Sequence, residues 1–205
     1  MSVKEVNIEF SSQCNLRCQF CSLDHLKPKQ LITPEIMEKF LIGFINDSKR
    51  YKSIKRINLY NGGEVLLHPK RIEMLAVLKK YKDLAKQQRK HFPEIHLLTN
   101  FVLMRAKLAE QIIDLDVVDL LGISFDGGTP EAFEEMRTNA KWNIFYENAI
   151  DFDRIRKEKE SNIKMSAISC IPGDKPRSLD WMHPQFQEVY RLLDWYELRR
   201  LHNWA

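Results

Sequence analysis

Short apolar stretches alternate with longer amphipathic stretches along most of the 205-residue chain. The short stretches have the alternating or continuous apolar character of β-strands, and the longer ones repeat their apolar residues at helical spacing. The predicted strands span residues 3–10, 56–60, 96–100, 117–125, 163–171 and 195–201. The predicted helices begin at residues 34 and 130 and span 70–88, 105–115, 142–159 and 184–194. Thr33-Pro34 and Thr129-Pro130 each place a capping hydroxyl before a proline, which is typical of a helix start.

The regular order of strand and helix determines the expected fold class. It predicts parallel strands joined by right-handed crossovers. About six such units predict an α/β fold, a partial (β/α)6 TIM-like barrel with parallel strands, instead of the closed eight-stranded barrel. We expect a single domain over residues 1–205, long enough to enclose a substantial core. Functional side chains of such folds lie just after the strands.

Composition narrows the functional classes. Hydrophobic residues make up 44% and charged residues 29% of the chain, as in ordinary globular proteins. No apolar run approaches the roughly 18 residues that a membrane span requires. The amino terminus lacks the apolar core of a signal peptide. We therefore expect a cytoplasmic protein without a membrane partner.

The formal net charge of +4 permits nucleic-acid binding without requiring it. Two basic runs carry much of the positive charge. They comprise Lys49, Arg50, Lys52, Lys55 and Arg56, and then Lys79, Lys80, Lys82, Lys86, Arg89 and Lys90. Each run lies at a helix end just before a strand, which is the rim opposite the predicted site. This position favours solvated charges over an RNA surface, although an RNA-modifying enzyme stays an alternative.

Three of the four cysteines, Cys14, Cys18 and Cys21, lie within eight residues directly after the first predicted strand. Clustered thiols in an intracellular chain indicate a metal site and not a disulfide scaffold. Three thiolates can ligate three irons of a 4Fe–4S cube and leave the fourth iron open for chemistry. The alternatives are a zinc site that adds His25, or an electron carrier, which would require a fourth cysteine. Cys170 stands alone and is expected to be a packed core thiol.

The spacing C-x3-C-x2-C, with the aromatic Phe20 before the last cysteine, resembles the signature of the radical S-adenosylmethionine (SAM) superfamily. Later segments agree, each after a predicted strand. Asn61-Gly62-Gly63-Glu64 resembles the family's GGE motif, although Val65 follows where the family often has proline. Residues 98–100 (Leu-Thr-Asn), 123–128 (Ile-Ser-Phe-Asp-Gly-Gly) and 129–137 resemble the family's third-strand segment, its SIDG segment and the helix after it.

The resemblance implies one 4Fe–4S cluster held by the three cysteines, with SAM chelated to the open iron by its amino and carboxylate groups. Reductive cleavage of SAM would give a 5′-deoxyadenosyl radical that abstracts hydrogen from an unknown peptide or small-molecule substrate. A reduced flavodoxin or ferredoxin-type protein would donate the electron.

The resemblance also implies a cofactor-binding set beyond the cysteines. Its members are Phe20, Gly62, Gly63, Glu64, Asn100, Ser124, Asp126 and Arg137. The two glycines would allow close backbone approach to the methionine part of SAM, and Glu64 would accept from its ammonium group or orient the loop. Asn100 and Ser124 would bond the ribose or the carboxylate.

The other three members have less defined roles. Asp126 would contact the ribose region or support its loop. Arg137 would pair with the SAM carboxylate, with a solvated helix residue as the alternative. Phe20 would shield the cluster and pack near the adenine, or serve as a core aromatic.

Many relatives with SIDG-like segments carry a cysteine-rich extension, called SPASM or twitch, with auxiliary clusters. No cysteine follows Cys170 here, so the chain resembles the core of that subgroup without the auxiliary-cluster domain. The open side of the barrel is then expected to be closed by substrate, by a partner chain or by residues removed from this chain. His202, Asn203 and Trp204 are candidate substrate-side residues. A second functional class stays open: a cluster-binding scaffold subunit that needs another chain for activity.

Overall fold

The computed structural model describes residues 3–200, without the side chain of Ser48. The strands within this range are β1 (Glu5–Asn7), β2 (Arg17–Cys18), β3 (Arg56–Asn58), β4 (Glu94–Thr99), β5 (Leu120–Ile123), β6 (Arg137–Thr138), β7 (Lys164–Ile171) and β8 (Trp195–Arg200). The helices are α1 (Pro34–Asn46), α2 (Ser48–Tyr51), α3 (Arg71–Gln87), α4 (Ala106–Leu115), α5 (Pro130–Met136), α6 (Trp142–Glu158) and α7 (Pro184–Leu192). A short 3₁₀ turn covers Val65–Leu67.

Six strands form one sheet in the order β1-β3-β4-β5-β7-β8, and every neighbouring pair is parallel. Apart from β2 and β6, strands that are neighbours in the sheet are also consecutive along the chain. The helices lie in the connections between them. This is the topology of a partial barrel, which confirms the expected α/β fold class. The additional β2 and β6 form a small antiparallel ribbon that the sequence did not predict.

The two faces of the sheet differ in chemistry because side chains alternate along each strand. The helix-covered face carries apolar residues such as Ile57, Ile95 and Leu121, all fully buried. The inner face carries Asn58 and His96, which are register partners across β3 and β4. The inner face therefore carries polar side chains among apolar ones such as Leu98 and Leu120, whereas the helix-covered face is apolar.

The predicted helix starts are confirmed. Thr33 accepts a hydrogen bond from the Ile36 N–H at 3.4 Å, and Thr129 accepts one from the Ala132 N–H at 3.3 Å. Most strands are shorter than expected, since the first spans Glu5–Asn7 and not residues 3–10, whereas β4 begins two residues earlier than the predicted 96–100. Leu201, at the end of the last predicted strand, and the candidates His202, Asn203 and Trp204 lie outside the described residues.

No helix in residues 3–200 combines the length and the apolarity needed to cross a membrane. Part of the second basic run lies at the amino end of the sheet, as expected. Lys82 pairs with Asp119, the residue before β5, at 2.7 Å, and Lys79 pairs with Asp83 at 2.7 Å. The charges of these lysines are therefore partly neutralised within the chain.

Candidate functional site

The cysteine loop follows β1 at the carboxyl end of the sheet. Cys14 and Cys18 are half-buried against the core, and Cys21 is exposed. Leu16, 1% exposed, anchors the loop between them. Arg17 closes the turn by donating from Nη1 to the carbonyls of Cys14 and Leu16 at 3.0 and 2.9 Å. The loop thus presents three sulfur atoms at the place where parallel α/β folds bind ligands.

The antiparallel ribbon ties the cysteine loop to the far half of the chain. Cys18 on β2 pairs with Arg137 on β6, and the Gln19 N–H donates to the Met136 carbonyl at 3.0 Å. This link holds the second cysteine directly beside the end of α5.

The two glycines of the Gly62-Gly63 pair lie against the segment that leads into the cysteine loop. An added Cβ at Gly63 would lie 1.8 Å from the Ser11 carbonyl oxygen, so only glycine fits there. Both glycine N–H groups donate to Oε1 of Glu9 at 2.8 Å. The close backbone approach at Gly63 therefore serves the packing of the glycine loop on the segment that leads into the cysteine loop. Sequence reasoning missed Glu9 because it lies inside the first predicted strand and carried no motif signal.

Glu64 is buried, with 3% of its surface exposed. Its carboxylate accepts from the Leu66 N–H at 3.0 Å, the Thr99 hydroxyl at 2.7 Å and the Asn100 N–H at 2.8 Å. Burial raises the pKa of Glu64, and the donors from Asn100 and Thr99 oppose that rise. These contacts match the second of the two expected roles, which is to orient the loop. Thr99 was not among the expected site residues.

Asn100 connects β4 to the cysteine loop. Its Nδ2 donates to Oδ1 of Asn15 at 2.9 Å and lies 4.0 Å from Sγ of Cys14, while its Oδ1 accepts from the Val102 N–H at 3.1 Å. Asn100 therefore fixes the loop around the first cysteine. Asn15 is a further positioning residue that the sequence pattern did not indicate.

Arg137 is buried, and the alternative of a solvated helix residue is wrong. Its side chain is 9% exposed, and Nε and Nη2 donate to Oδ2 of Asp126, itself 2% exposed, at 2.6 and 2.5 Å. The remaining nitrogen, Nη1, faces Sγ of Cys18 at 3.8 Å, and the guanidinium lies 5.5 Å from the ring centroid of Phe20. Burial raises the pKa of the Cys18 thiol, and the Arg137 charge opposes that rise.

Cys170 lies at the end of β7, where its N–H donates to Oδ1 of Asp126. The thiol is half-buried. Burial and the Asp126 charge raise its pKa, whereas Arg137 and Arg199 lower it. Its surroundings are therefore partly charged, which differs from the packed core thiol that we expected.

Ser124 lines the inner face below these loops. Its N–H donates to the Thr99 carbonyl at 3.0 Å, and it forms part of a chamber of about 340 Å³ lined by residues from all six strands and Tyr60. The chamber walls are Glu5, Arg56, Asn58, Tyr60, His96, Leu97, Leu98, Leu120, Gly122, Ser124, Ser166, Ala167, Ile168 and Trp195. A second, more open groove of about 690 Å³ runs between the cysteine loop and the glycine loop, and includes Phe20, Cys21, Asn61 and Gly62.

The three sulfurs have the surroundings of iron–sulfur ligands. Each has an N–H donor nearby: Leu16 N at 3.4 Å from Cys14 Sγ, Arg137 Nη1 at 3.8 Å from Cys18 Sγ, and Leu23 N at 3.5 Å from Cys21 Sγ. Such donors stabilise cluster thiolates.

The alternative single-zinc site receives no support. A zinc site needs several ligands around one ion, and no group of three His, Cys, Asp or Glu residues in the described part of the chain forms such a site. A cube distributes its thiolates over separate irons, so its ligands need not converge on one point. The residues present fit a 4Fe–4S cluster because three thiols, each beside an N–H donor, are the ligands that such a cluster takes.

A partial parallel barrel with a three-cysteine loop at the carboxyl ends of its strands defines an iron–sulfur enzyme core. The chain belongs to the Radical SAM superfamily, whose family model matches residues 8–182. Members of this superfamily use a 4Fe–4S cluster and SAM.

The matched relatives are larger proteins. One is the tungsten-containing aldehyde ferredoxin oxidoreductase cofactor-modifying protein of Pyrococcus furiosus, 23% identical over 124 residues, which cover 60% of this chain and 31% of the relative. Another is described as a probable GTP 3′,8-cyclase of Methanococcus aeolicus, 30% identical over 137 residues, 65% of this chain and 41% of the relative. The matches thus span about a third to two fifths of these curated relatives.

The fold resembles that of Streptococcus suis SuiB, solved with its precursor peptide SuiA. The TM-score is 0.68 at 14% identity, and the match covers 96% of this chain and 39% of SuiB. This likeness supports the partial-barrel fold.

Proposed function

We propose that this chain is a radical SAM enzyme core, in which Cys14, Cys18 and Cys21 hold a 4Fe–4S cluster. The observation that carries the proposal is the set of three cysteine sulfurs, each beside an N–H donor, at the carboxyl end of the parallel sheet. When bound, the cluster and SAM supply an electron transfer that cleaves SAM to methionine and a hydrogen-abstracting 5′-deoxyadenosyl radical.

The groove between the cysteine loop and the glycine loop is the proposed place for the methionine part of SAM. Phe20 and Gly62 line it, together with Cys21. The Gly62 and Gly63 N–H groups are occupied by Glu9, so SAM binding there uses the shape of the loop more than these two donors. Glu64 and Asn100 then act by holding the loops in place, Asp126 by holding Arg137, and Ser124 lines the adjoining inner chamber.

The inner chamber is the proposed substrate side. Its volume of about 340 Å³ is at the small end of ligand pockets, enough for one side chain or one ring system. Leu98, Leu120 and Trp195 contribute apolar surface to it, and Asn58 and Tyr60 contribute polar groups. This mixture fits a neutral group with both apolar and polar surface.

Charge in the chamber favours a peptide side chain or an uncharged small molecule over a nucleoside triphosphate. Arg56 lines the chamber, and its Nη1 pairs with Oε1 of Glu5 at 2.7 Å. A triphosphate needs several free cations or a metal, and a guanidinium neutralised by a carboxylate supplies little of that charge. SuiB, a structural neighbour, was solved with a peptide, which agrees with the same substrate class.

The chamber is open at the side of β8. Ile168 and Trp195, which both line the chamber, are 44% and 45% exposed there. We propose that substrate or a partner chain covers this opening during turnover. A flavodoxin or ferredoxin-type donor is the proposed source of the electron.

Anaerobic reconstitution with iron and sulfide tests the proposal. The reduced protein is expected to convert SAM to 5′-deoxyadenosine, measured by liquid chromatography, and the Cys14→Ala, Cys18→Ala and Cys21→Ala variants are expected to lose both iron and product. Cys170→Ala is the matched control and should keep its iron. A wild-type protein that binds the cluster yet forms no product would instead favour a scaffold subunit that depends on another chain.

A further inference from the structure

Arg137 places a permanent positive charge against a cluster ligand. Its Nη1 lies 3.8 Å from Sγ of Cys18, whereas its Nε and Nη2 bond Oδ2 of Asp126 at 2.6 and 2.5 Å. The carboxylate and the sulfur thus contact different nitrogens of the same guanidinium. Nη1, the nitrogen that faces Cys18, is therefore not one of the nitrogens that bond the Asp126 carboxylate.

The position of this charge is fixed by both the backbone and the side chain. Arg137 pairs with Cys18 in the β2–β6 ribbon, and Asp126 is itself held by the Cys170 N–H. The Phe20 ring lies 5.5 Å from the guanidinium. Because only 9% of the Arg137 side chain is exposed, solvent screens its charge little.

A fixed cation beside a sulfur ligand acts on reduction of the cluster. One electron from an external one-electron reductant adds one negative charge to the cluster, and no bond to the protein forms or breaks. A nearby buried positive charge stabilises the more negative reduced state, since Coulomb interactions are stronger away from water. Charge and hydrogen bonds to the sulfurs are known determinants of cluster potentials.

We propose that Arg137 is a positioning residue that raises the reduction potential of the cluster through Cys18, instead of a ligand for the SAM carboxylate. Asp126 moderates this effect by holding the guanidinium in place with an opposing charge. The proposal rests on the proposed cluster at Cys14, Cys18 and Cys21, but it does not require that SAM be cleaved.

The test is a potentiometric titration of the reconstituted protein without SAM. Ti(III) citrate is the reductant and becomes Ti(IV), and electron paramagnetic resonance (EPR) reports the fraction of reduced cluster. Arg137→Gln is expected to lower the reduction equilibrium constant at least tenfold, which is about 59 mV toward more negative potential for one electron. Arg137→Lys keeps the charge without the planar fork and should fall between Arg137→Gln and wild type. The control Arg199→Gln, which removes an exposed arginine paired with Glu197, should titrate as wild type.

An Arg137→Gln variant that binds wild-type iron and titrates at the wild-type potential would overturn the proposal. If that variant does not retain a cluster, Asp126→Asn gives the opposite test, because the amide oxygen can still accept from Arg137 while the opposing charge is removed, which should shift the potential to more positive values. An unchanged or more negative value would contradict the proposal.

SAM binding, measured separately by calorimetry, distinguishes the two roles of Arg137. A carboxylate ligand would lose SAM affinity in Arg137→Gln without any shift in the SAM-free potential. Failure of the wild-type protein to bind any cluster would refute the proposed function itself, and failure to cleave SAM would leave the potential shift intact.

Discussion

The charged side chains around the cysteine loop and those of the second basic run differ in solvent exposure. At the carboxyl rim, Glu64, Asp126 and Arg137 are 3%, 2% and 8% exposed and bond to one another's loops or to the backbone. At the amino rim, the Lys79–Asp83 pair leaves 31% and 45% of its side chains exposed. The Lys79–Asp83 pair is therefore hydrated where the three groups beside the cysteine loop are buried. Asp153, 5% exposed and bonded by Arg156 at 2.8 Å, is a buried exception at the amino rim.

The difference separates a built site from a solvated surface. Burial of a charge is costly unless other groups compensate it, so a cluster of buried and fully bonded charges needs a reason beyond stability. Here the buried groups all hold loops around the three cysteines. The exposed lysines of the basic runs need no such reason, because surface ion pairs contribute little.

The largest expected loss of stability follows from a change at the buried Asp126–Arg137 pair. Asp126→Ala leaves the Arg137 charge uncompensated in the interior, which should lower the free energy of unfolding by about 3–5 kcal/mol. Urea denaturation followed by circular dichroism measures it. A loss below about 1 kcal/mol would mean that the buried pair behaves as a surface pair, and the contrast between the rims would fail.

Gly63→Ala should also be strongly destabilising. The new Cβ would lie 1.8 Å from the Ser11 carbonyl oxygen, so the backbone must shift at a cost of about 3 kcal/mol. Gly173→Ala is the matched control, since an added Cβ there meets nothing within 4 Å. Equal unfolding midpoints for the two variants would show that the glycine loop is not packed on the cysteine loop. Iron content should fall in Gly63→Ala alone.

Removal of one donor to Glu64 should lower the free energy of unfolding by a smaller amount. Thr99→Val deletes the hydroxyl that donates to Oε1 at 2.7 Å and accepts from the Phe101 N–H at 3.1 Å, while the donors from Leu66 and Asn100 to Glu64 remain. We expect a loss of about 1 kcal/mol, the low end for a buried group that loses a partner. Thr138→Val, on the exposed side of β6, serves as the control and should change stability by less than about 0.5 kcal/mol.

The smallest expected effect is at the amino rim. Asp83→Asn removes the Lys79 pair within α3 and should cost about 0.3–0.5 kcal/mol at low salt. The difference should disappear at about 1 M salt, because exposed charges are then screened. Unfolding measured at two salt concentrations checks this, and a cost that persists at high salt would indicate a buried interaction.

Much of the fold could be predicted because its signals are local. Strand and helix order followed from apolar periodicity, and the helix starts at Thr33 and Thr129 followed from capping chemistry. The β2–β6 ribbon could not be predicted in this way. Each of its strands has two residues, too short for a periodic pattern, and they pair Cys18 with Arg137 across most of the chain.

The sequence proposes residues for the candidate site, but it does not indicate which of their atoms contact one another. The motif segments identified Glu64 and Arg137, yet their partners Thr99 and Cys18 became clear only when the ends of separate strands came together. Glu9 was missed altogether, since a carboxylate inside a strand pattern has no distinguishing spacing. Which atom of a motif residue bonds which neighbour depends on tertiary packing, which a local pattern does not encode.

The most direct test of the central claim is the EPR spectrum of the reduced, reconstituted protein with and without SAM. We predict a 4Fe–4S signal whose shape changes when SAM is added, because three cysteine ligands leave one iron open to SAM. The signal should be absent from the Cys18→Ala variant. A spectrum that saturating SAM leaves unchanged, or a colourless protein that contains zinc in place of iron, would contradict the assignment.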